Sequence, residues 1–506
     1  MGAMRRSLTG AVLGTVVLTG LAVALAGCDA KTELQTTQPE AQPQGVSASA
    51  VEFANQLRER VTIDAMMGHL ERLQEIADNN DGNRALGSPG YDASVDYVAE
   101  ALRDKGFDVE TPEFEVRLPF AEDPQVTVGG QAVTAKPLEF TIGTEGVSGP
   151  LVAAKAEETP GCEAGDYDGL NVAGAVVLVD RGACAFSIKQ AVAAERGAVA
   201  MIVANNTDGD EMGGTLGRRT DVKIPVVSVT KAEGARLRAN PGPTTIKLVA
   251  GVRVEKTRNV IAQTDTGSPS DVVMVGAHLD SVPEGPGIND NGSGVAAVLE
   301  TALQLGSSPD VNYAVRFGFW GAEEEGLLGS TNYVESLNEE QLKDIALYLN
   351  FDMLGSPNPG YFTYDGDQSI PPGPRVPRVP EGSAGIERTL AAYLADAGKM
   401  PQDTGFDGRS DYDAFTLAGI PAGGLFSGAE DKMSAEQAEE WGGKAEEPFD
   451  PNYHKNTDTL EHVDREALRI HGEGVAFTVG LYAQDQRGRN GIPVREDRTR
   501  HQISPQ

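Results

Sequence analysis

The chain has 506 residues, too many for one compact core, and 40% of them are hydrophobic, so we expect two globular units with extensions. Its 42 lysines and arginines against 75 aspartates and glutamates give a net charge of −33. This charge argues against a nucleic-acid partner, because a phosphate backbone would be repelled.

The first 27 residues have the pattern of an export signal. Arg5 and Arg6 precede a long apolar run that ends in the sequence LAGC, whose last residue is Cys28. This ending resembles the lipobox of bacterial lipoproteins, which implies cleavage before Cys28 and lipid attached to it. We therefore expect a cell-envelope protein, anchored in the membrane by the lipid on the outer face of the cytoplasmic membrane and in part secreted. An uncleaved membrane anchor and an ordinary secretory signal are the alternatives.

Residues 28–50 are polar and carry Pro, Gln and Ser, which predicts a flexible tether. If Cys28 carries lipid, the two remaining cysteines, Cys162 and Cys184, predict one disulfide in an oxidising compartment. Two buried free thiols are the alternative.

Residues 51–115 place apolar side chains at helical spacing and are predicted as the first segment of a catalytic domain. Short β-type runs follow in residues 116–254. Within them, the loop DRGACAF and the strand GAVAMIVANN resemble the protease-associated (PA) domain, a small β-rich module inserted into several peptidases and receptors. A generic β insertion without a binding role is the alternative.

Residues 255–485 alternate apolar strands with helices, as in VVMVGAHLD, YAVRFGFWGAEEEG and IALYLNFDMLG. This pattern predicts an α/β fold with a mostly parallel central sheet and helices on both faces. In such sheets, ligands bind beyond the carboxyl ends of the strands. The polar tail of residues 486–506 is predicted to be disordered.

Polar side chains that can bind metal follow these strands or lie in later loops. They are His278, Asp280, Asp290, Glu323, Glu324, Asp352 and His454. Imidazole and carboxylate ligands without thiolate suit catalytic zinc, and manganese or cobalt would also bind them. A single catalytic zinc keeps about three protein ligands. The larger set therefore favours two metals that share one carboxylate.

Five motifs occur in the order GAHLDSVPEGPGINDNGSG, FWGAEEEGLLGS, YLNFDMLGSPN, GRSDYDAF and YHKNTDT. Together they resemble the co-catalytic di-zinc aminopeptidases of peptidase family M28, over residues 51–115 and 255–485. The resemblance implies the zinc exopeptidase type of α/β fold, with the small PA domain inserted, and two Zn²⁺ per subunit. It implies His278 and Asp352 as ligands of one zinc, Glu324 and His454 as ligands of the other, and Asp290 as the bridge.

The resemblance also assigns roles around the metals. Glu323 is implied as the general base that takes a proton from a metal-activated water, and Asp280 as the group that orients the imidazole of His278. Tyr453 is implied as a hydrogen-bond donor to the oxyanion, with Arg409 as its helper. For Arg409, a structural ion pair is the alternative.

One position departs from the resemblance. Secreted aminopeptidases of this kind often bracket the Tyr-His pair with a disulfide, but this chain has Asn452 and Thr457 at those places. Hydrogen bonds and packing alone must then hold the loop that carries His454.

The expected substrates are peptides with a free N-terminus. An acidic rim would tolerate an N-terminal ammonium and repel a C-terminal carboxylate. The glutamates of residues 435–450 either line that rim and favour basic first residues or form a solvated acidic face. A carboxypeptidase, or a glutaminyl-cyclase-like enzyme with one zinc, is the alternative within the same fold. A non-catalytic PA-containing binding protein is disfavoured, since every ligand and the base are retained.

Overall fold

A computed structural model describes residues 47–155, 160–209, 213–370, 378–487 and 491–503. The predicted export signal, the lipidation site Cys28 and most of the predicted tether lie outside these ranges. Within them, no helix combines the length and the apolar character that crossing a bilayer requires.

The described residues form eighteen strands and twelve α-helices. The strands are β1 (Asp108–Glu110), β2 (Glu113–Ala121), β3 (Gln125–Val128), β4 (Gln131–Val133), β5 (Lys136–Pro137), β6 (Thr144–Ala153), β7 (Val176–Asp180), β8 (Ala200–Ala204), β9 (Val226–Val229), β10 (Pro243–Leu248), β11 (Ala250–Arg258), β12 (Val260–Gln263), β13 (Ser268–His278), β14 (Tyr313–Trp320), β15 (Ile345–Phe351), β16 (Phe362–Tyr364), β17 (Gln402–Thr404) and β18 (Ala422–Phe426). The helices are α1 (Ala48–Arg58), α2 (Ile63–Asp78), α3 (Pro89–Asp104), α4 (Phe186–Glu195), α5 (Lys231–Ala239), α6 (Gly294–Leu305), α7 (Leu328–Ser336), α8 (Glu339–Asp344), α9 (Ser383–Asp396), α10 (Tyr412–Leu417), α11 (Ala435–Trp441) and α12 (Arg465–Gln484).

The catalytic domain is built on an eight-stranded sheet in the order β1-β12-β14-β13-β15-β18-β16-β17. Its four central strands, β14, β13, β15 and β18, run parallel. Antiparallel pairs flank this centre, with β12 on β14 and β1 on β12 at one side and β16 on β18 at the other, where β17 adds a parallel edge strand. The predicted fold class, α/β with a mostly parallel centre, is confirmed.

Helices cover both faces of this sheet because its central strands are apolar on both sides. On one face, α2, α6 and α12 contribute Leu70, Val298 and Leu468 to the large core. On the other face, α7, α8 and α10 pack on a cluster that contains Trp320 and Tyr348. Two buried faces leave the strand ends as the place where polar side chains can lie together.

The PA insertion forms a second eight-stranded sheet in the order β4-β3-β10-β6-β7-β8-β9-β5. Strands β6 to β9 are parallel, and apolar clusters fill both of its faces. The chain leaves the catalytic domain along β2 and returns along β11, which pair antiparallel from Glu113↔Arg258 to Ala121↔Ala250. Both predicted ends of the insertion, residues 116 and 254, fall in this two-stranded ribbon.

Two terminal segments depart from the sequence-based expectation. Helix α1 begins at Ala48, inside the predicted tether, and buries Ala50, Ala54 and Leu57. Residues 491–503 are not disordered but pack on the catalytic domain, where Arg500 is 5% exposed. The guanidinium of Arg500 donates to the carbonyl oxygens of Ile345 and Gly419, so the tail is held by backbone acceptors far away in the sequence.

Candidate active site

Three neighbouring parallel strands deliver polar side chains to one edge of the catalytic sheet. Strand β13 ends at His278, which pairs in register with Trp320 at the end of β14. Glu323 follows β14, and Asp352 directly follows β15. Because carboxyl ends of parallel strands meet at the same edge, these side chains converge.

The metal-ligand candidates gather around two imidazoles. His278 Nε2 lies 3.2 Å from Asp290 Oδ1 and 3.3 Å from Asp352 Oδ1. His454 Nε2 lies 3.2 Å from Asp290 Oδ2 and 3.0 Å from Glu324 Oε2. The two oxygens of Asp290 therefore face different imidazoles, as a bridging carboxylate requires.

These separations fit metal coordination. Two ligand atoms of one tetrahedral zinc are about 3.3 Å apart, given Zn–N and Zn–O distances of about 2.0–2.1 Å. Glu324 Oε1 and Asp352 Oδ1 are buried and have no hydrogen-bond partner within the described chain. Buried carboxylate oxygens without partners are costly unless a cation binds there. The donor set of imidazoles and carboxylates is that of catalytic zinc.

The electrostatics of the cluster point the same way. Burial and the neighbouring charge of Asp290 raise the pKa of Glu324 to about 7, although the hydrogen bond to His454 lowers it. Burial opposes protonation of His454, but hydrogen bonds to Asp290 and Glu324 raise its pKa to about 10. The carboxylates thus attract positive charge, which protons supply in the bare protein and divalent ions would supply in their place.

Glu323 lies beside the ligand candidates. Its Oε2 is 3.9 Å from His278 Nε2, farther than the oxygens of Asp290 and Asp352. Burial raises the pKa of Glu323 well above its usual range. A carboxylate next to the metal positions but farther from the imidazole fits a base better than a ligand.

Asp280 holds both the imidazole and the turn that follows β14. It is fully buried, with its Oδ1 3.7 Å from His278 Nδ1. The His278 Nδ1 is also 3.2 Å from the Asp280 backbone oxygen. The carboxylate of Asp280 accepts the backbone N–H groups of Glu323 at 3.1 Å and Glu324 at 3.2 Å. Asp280 thus links one predicted ligand to the predicted base.

Three supporting residues were missed at the sequence level. Asp458 accepts the backbone N–H groups of Asn289 at 2.8 Å and Asp290 at 3.0 Å, which fixes the backbone at the predicted bridging residue. Ser410 Oγ donates to Asp352 Oδ2 at 2.6 Å.

The buried guanidinium of Arg84 donates to the carbonyl oxygens of Pro286 and Gly287 at 2.9 Å and 2.6 Å, which fixes the Gly/Pro loop before Asp290.

The loop that carries His454 is held without a disulfide. Asn452 N donates to Asp450 Oδ1 at 2.7 Å, and Lys455 Nζ donates to the Pro451 carbonyl at 2.7 Å. Farther along, Asp458 is 3% exposed and joins the loop to the segment of Asp290. Hydrogen bonds, including those to the buried carboxylates of Asp450 and Asp458, therefore hold the loop in place of the covalent bracket that is common in such enzymes.

Tyr453 contacts Arg409 next to a predicted metal ligand, with its ring centre 3.8 Å from that of His454. Arg409 Nη2 donates to Tyr453 Oη at 3.2 Å and forms an ion pair with Glu430 Oε1 at 3.0 Å. Both predicted readings of Arg409, helper and ion pair, thus describe contacts that it makes. Because a guanidinium only donates, the hydroxyl oxygen of Tyr453 accepts and its own hydrogen stays available.

A cavity of about 420 Å³ opens beside the site. It is lined by the predicted residues Asp290, Glu323, Glu324, Asp352, Arg409 and Tyr453 and by an apolar wall of Met353, Phe362, Tyr364, Phe426 and Phe449. Asp407, Glu430 and Asp431 are its further acidic residues. None of the glutamates of residues 435–450 is among its described lining residues.

Comparison with known proteins agrees with this geometry. The profile of peptidase family M28 matches residues 259–479, and that of the PA domain matches residues 147–237. A "Probable lipoprotein aminopeptidase LpqL" of Mycobacterium tuberculosis is 68% identical over 459 residues, 90% of this chain and 92% of the relative. The chain belongs to peptidase family M28.

Other members of M28 and its fold extend the likeness. An "Aminopeptidase" of Pseudomonas aeruginosa is 42% identical over 427 residues, 81% of this chain and 78% of the relative. Among solved structures, an aminopeptidase from Aneurinibacillus sp. strain AM-1 has a TM-score of 0.64 at 28% identity and covers 86% of this chain and 97% of its own. The zinc aminopeptidase BSAP from Bacillus subtilis has a TM-score of 0.55 at 26% identity over 85% of this chain and 98% of its own. The predictions of the family, of the inserted PA domain and of a peptide-hydrolysing enzyme are confirmed.

Proposed function

We propose that this M28 peptidase is a zinc-dependent aminopeptidase that acts outside the cytoplasm with two metal ions. The observation that carries the proposal is the shared carboxylate of Asp290, whose two oxygens each lie 3.2 Å from a different imidazole nitrogen. His278 and Asp352 would hold one zinc, and Glu324 and His454 the other. Zinc held by these residues would lower the pKa of a water and polarise the scissile carbonyl.

The chain's own residues then supply the proton transfers. The carboxylate of Glu323 takes a proton from the attacking water and delivers it to the leaving amine. Its position is fixed because Asp280 accepts the backbone N–H of Glu323 at 3.1 Å. A base held in place needs no reorganisation during the reaction.

Tyr453 stabilises the charge that develops on the carbonyl oxygen. Its hydroxyl lies at the cavity, with the hydroxyl oxygen occupied by the N–H of Arg409 at 3.2 Å. The remaining hydroxyl hydrogen donates to the oxyanion, and Arg409 adds a positive charge nearby. Arg409 is thus a positioning residue for Tyr453, held in turn by Glu430.

The cavity suits the first side chain of a peptide and its free amino group. Three phenylalanines, a tyrosine and a methionine form the apolar wall, which favours a large apolar first residue. The acidic residues around the cavity attract an ammonium and repel a carboxylate. The "Leucine aminopeptidase 2" of Arthroderma otae, 37% identical over 457 residues, has a name that agrees with this preference.

A lipid anchor at Cys28 is proposed to hold the enzyme on the outer face of the membrane. The LAGC sequence supports it. So does the name of the Mycobacterium tuberculosis relative, which is called a lipoprotein.

The test is a panel of chromogenic substrates with the purified full chain. Leucine, phenylalanine and lysine p-nitroanilides should be cleaved, whereas their N-acetylated forms should resist. A chelator should abolish the cleavage and added zinc should restore it. Cleavage of peptides from the carboxyl end, or cyclisation of N-terminal glutamine without peptide hydrolysis, would replace the proposal by one of the alternatives within the fold.

A further inference from the structure

The inserted PA domain contacts the catalytic domain next to the predicted base. Arg218, in a loop of the insertion, donates from Nη2 to the backbone carbonyl oxygen of Glu325 at 2.9 Å. Glu325 directly follows Glu323 and Glu324 in the chain. The insertion therefore reaches the turn that carries both the base and a metal ligand.

Arg218 is itself fixed by its surroundings. Its Nη1 donates to the carbonyl oxygen of Arg117 at 2.5 Å, and its guanidinium lies 5.4 Å from the centre of the Phe140 ring. Two residues earlier in the same loop, Leu216 is 2% exposed in a core cluster of the insertion. A planar guanidinium that joins two carbonyl groups and covers an aromatic ring keeps one orientation.

The turn after β14 needs support from more than one side. Ala322 and Leu327 have φ values of 58° and 62°, a conformation that side-chain-bearing residues rarely adopt. The carbonyl of Glu323 accepts the N–H groups of Gly326 and Leu327, both at 2.8 Å. On the side of the predicted metal ligands, the carboxylate of Asp280 accepts the N–H groups of Glu323 and Glu324.

We propose that the PA domain positions the general base, with Arg218 as the positioning residue. Asp280 holds the N–H groups of Glu323 and Glu324, and Arg218 holds the carbonyl group of Glu325. The carboxylate of Glu323 is therefore fixed between the two contacts. The inference rests on the proposed function, in which Glu323 is the base. None of the described residues that line the cavity belongs to residues 116–254. The insertion therefore acts on turnover through the turn and not by touching the substrate there.

The experiment compares three variants of the full chain, each saturated with zinc. Arg218→Ala removes both donors. Arg218→Lys keeps the charge but loses the fork that joins two carbonyls. Arg219→Ala is the matched control, because Arg219 is exposed in the same loop and pairs with Glu335 at 2.6 Å, away from the turn. The kcat and KM for leucine p-nitroanilide, the zinc content and the melting temperature are measured for each.

The expected result is a kcat about tenfold lower in Arg218→Ala, an intermediate kcat in Arg218→Lys and no change in Arg219→Ala. KM should stay within about twofold, because the cavity wall is unaltered. Unchanged kcat in both Arg218 variants, or an equal loss in Arg219→Ala, overturns the inference. If Arg218→Ala does not fold, Arg218→Lys decides alone, and a wild-type kcat there overturns it. A wild-type protein without zinc-dependent aminopeptidase activity would contradict the proposed function itself.

Discussion

At the scale of single residues, we propose different roles for two adjacent glutamates, Glu323 and Glu324. Glu324 Oε2 lies 3.0 Å from His454 Nε2, whereas Glu323 Oε2 lies 3.9 Å from His278 Nε2. A base must gain and lose a proton, so it cannot be a permanent ligand. We predict that Glu323→Gln keeps both zinc ions and the fold, while kcat falls by about 10²-fold or more.

Glu324→Gln is the matched comparison. It should bind one zinc more weakly, and part of its activity should return with excess metal. Elemental analysis of the metal content, alongside kinetics, separates the two effects. Loss of zinc from Glu323→Gln, with two ions kept in Glu324→Gln, would exchange the roles. Unchanged turnover in both variants would place the active site elsewhere.

His471 is a buried histidine away from the proposed chemistry. Its Nδ1 lies 3.0 Å from the Leu354 carbonyl oxygen, its Nε2 has no partner in the described chain, and burial lowers its pKa to about 4. The unfolded chain, with a histidine pKa of about 6.5, then binds more protons than the folded one between pH 6.5 and 4. Stability should therefore fall as the pH falls through this window.

The size of that effect can be measured. About 2.5 pKa units correspond to roughly 3 kcal/mol of unfolding free energy by pH 4, at about 1.4 kcal/mol per unit. His471→Gln should lose this part of the pH dependence, even if its stability at neutral pH is lower. Denaturant unfolding at several pH values gives the slope. An unchanged slope in His471→Gln would assign the acid sensitivity to other groups.

The ligand candidates were predictable because their signals are local, but their supports were not. His278, Asp290 and Asp352 stand at strand ends or in a Gly/Pro loop, where a polar side chain after an apolar run is conspicuous. Asp458 and Arg84 act on backbone groups 168 and 203 residues away. A side chain that pairs with a distant backbone group has no pattern of its own in the sequence, so only the fold reveals it.

At the scale of elements, the PA insertion carries one covalent link. Cys162 and Cys184 form a disulfide with a sequence separation of 22 residues. Closing a loop of this length stabilises the native state by about 3 kcal/mol in the chain-entropy model. Cys162→Ser with Cys184→Ser should therefore lower the melting temperature of the insertion. At temperatures at which the insertion stays folded, the kcat of this double variant should equal that of the wild type, because the disulfide lies outside the cavity lining. A melting temperature equal to the wild type would contradict the predicted stabilisation.

The C-terminal segment is a second test of element-scale packing. Arg500 donates to the carbonyl oxygens of Leu342, Ile345 and Gly419. Arg500→Ala leaves these acceptors without their donor and should cost about 2 kcal/mol or more. Arg495→Ala is the control and should cost much less stability, since solvent screens its ion pairs with Asp344 and Glu340. Equal losses of stability in both variants would show that the hydrogen bonds of Arg500 stabilise the fold no more than surface ion pairs do.

The difference between apolar packing and hydrogen bonds to distant backbone groups explains which elements the sequence could predict. The buried parallel strands are apolar runs, and their pattern predicts them directly. The tail of residues 491–503 has the composition of a disordered segment, with few large apolar side chains. Its arginines order it by binding backbone carbonyls of β15 and neighbouring loops, and composition does not contain that information.

At the scale of the whole molecule, the family and the order of segments could be predicted, but the relation between the two sheets could not. The motifs of the catalytic domain and of the insertion are contiguous in the sequence. The contact between Arg218 and Glu325 joins residues 107 apart through a carbonyl group, which any residue type would offer. For that reason, only the structure reveals the contact between the insertion and the turn that carries the predicted base.

The location of the molecule depends on its charge as well as on its signal. With a net charge of −33, the body has no electrostatic attraction to an anionic membrane surface. We propose that the lipid on Cys28 retains the protein at the membrane. Salt washing should then leave the wild-type protein on the membrane, because salt screens ionic contacts and does not weaken a lipid anchor.

We predict that Cys28→Ser releases the enzyme from the membrane. The wild type should enter the detergent phase on phase partitioning, while the variant should appear in the medium or the aqueous phase with its kcat unchanged, since Cys28 has no part in the proposed chemistry. The fractions are compared by immunoblot and by leucine p-nitroanilide hydrolysis. If the variant stays membrane-bound to the same extent, the export signal is an uncleaved anchor. If all of the wild type is found in the medium and none in the membrane fraction, the signal is an ordinary secretory one, so each alternative has a distinct outcome.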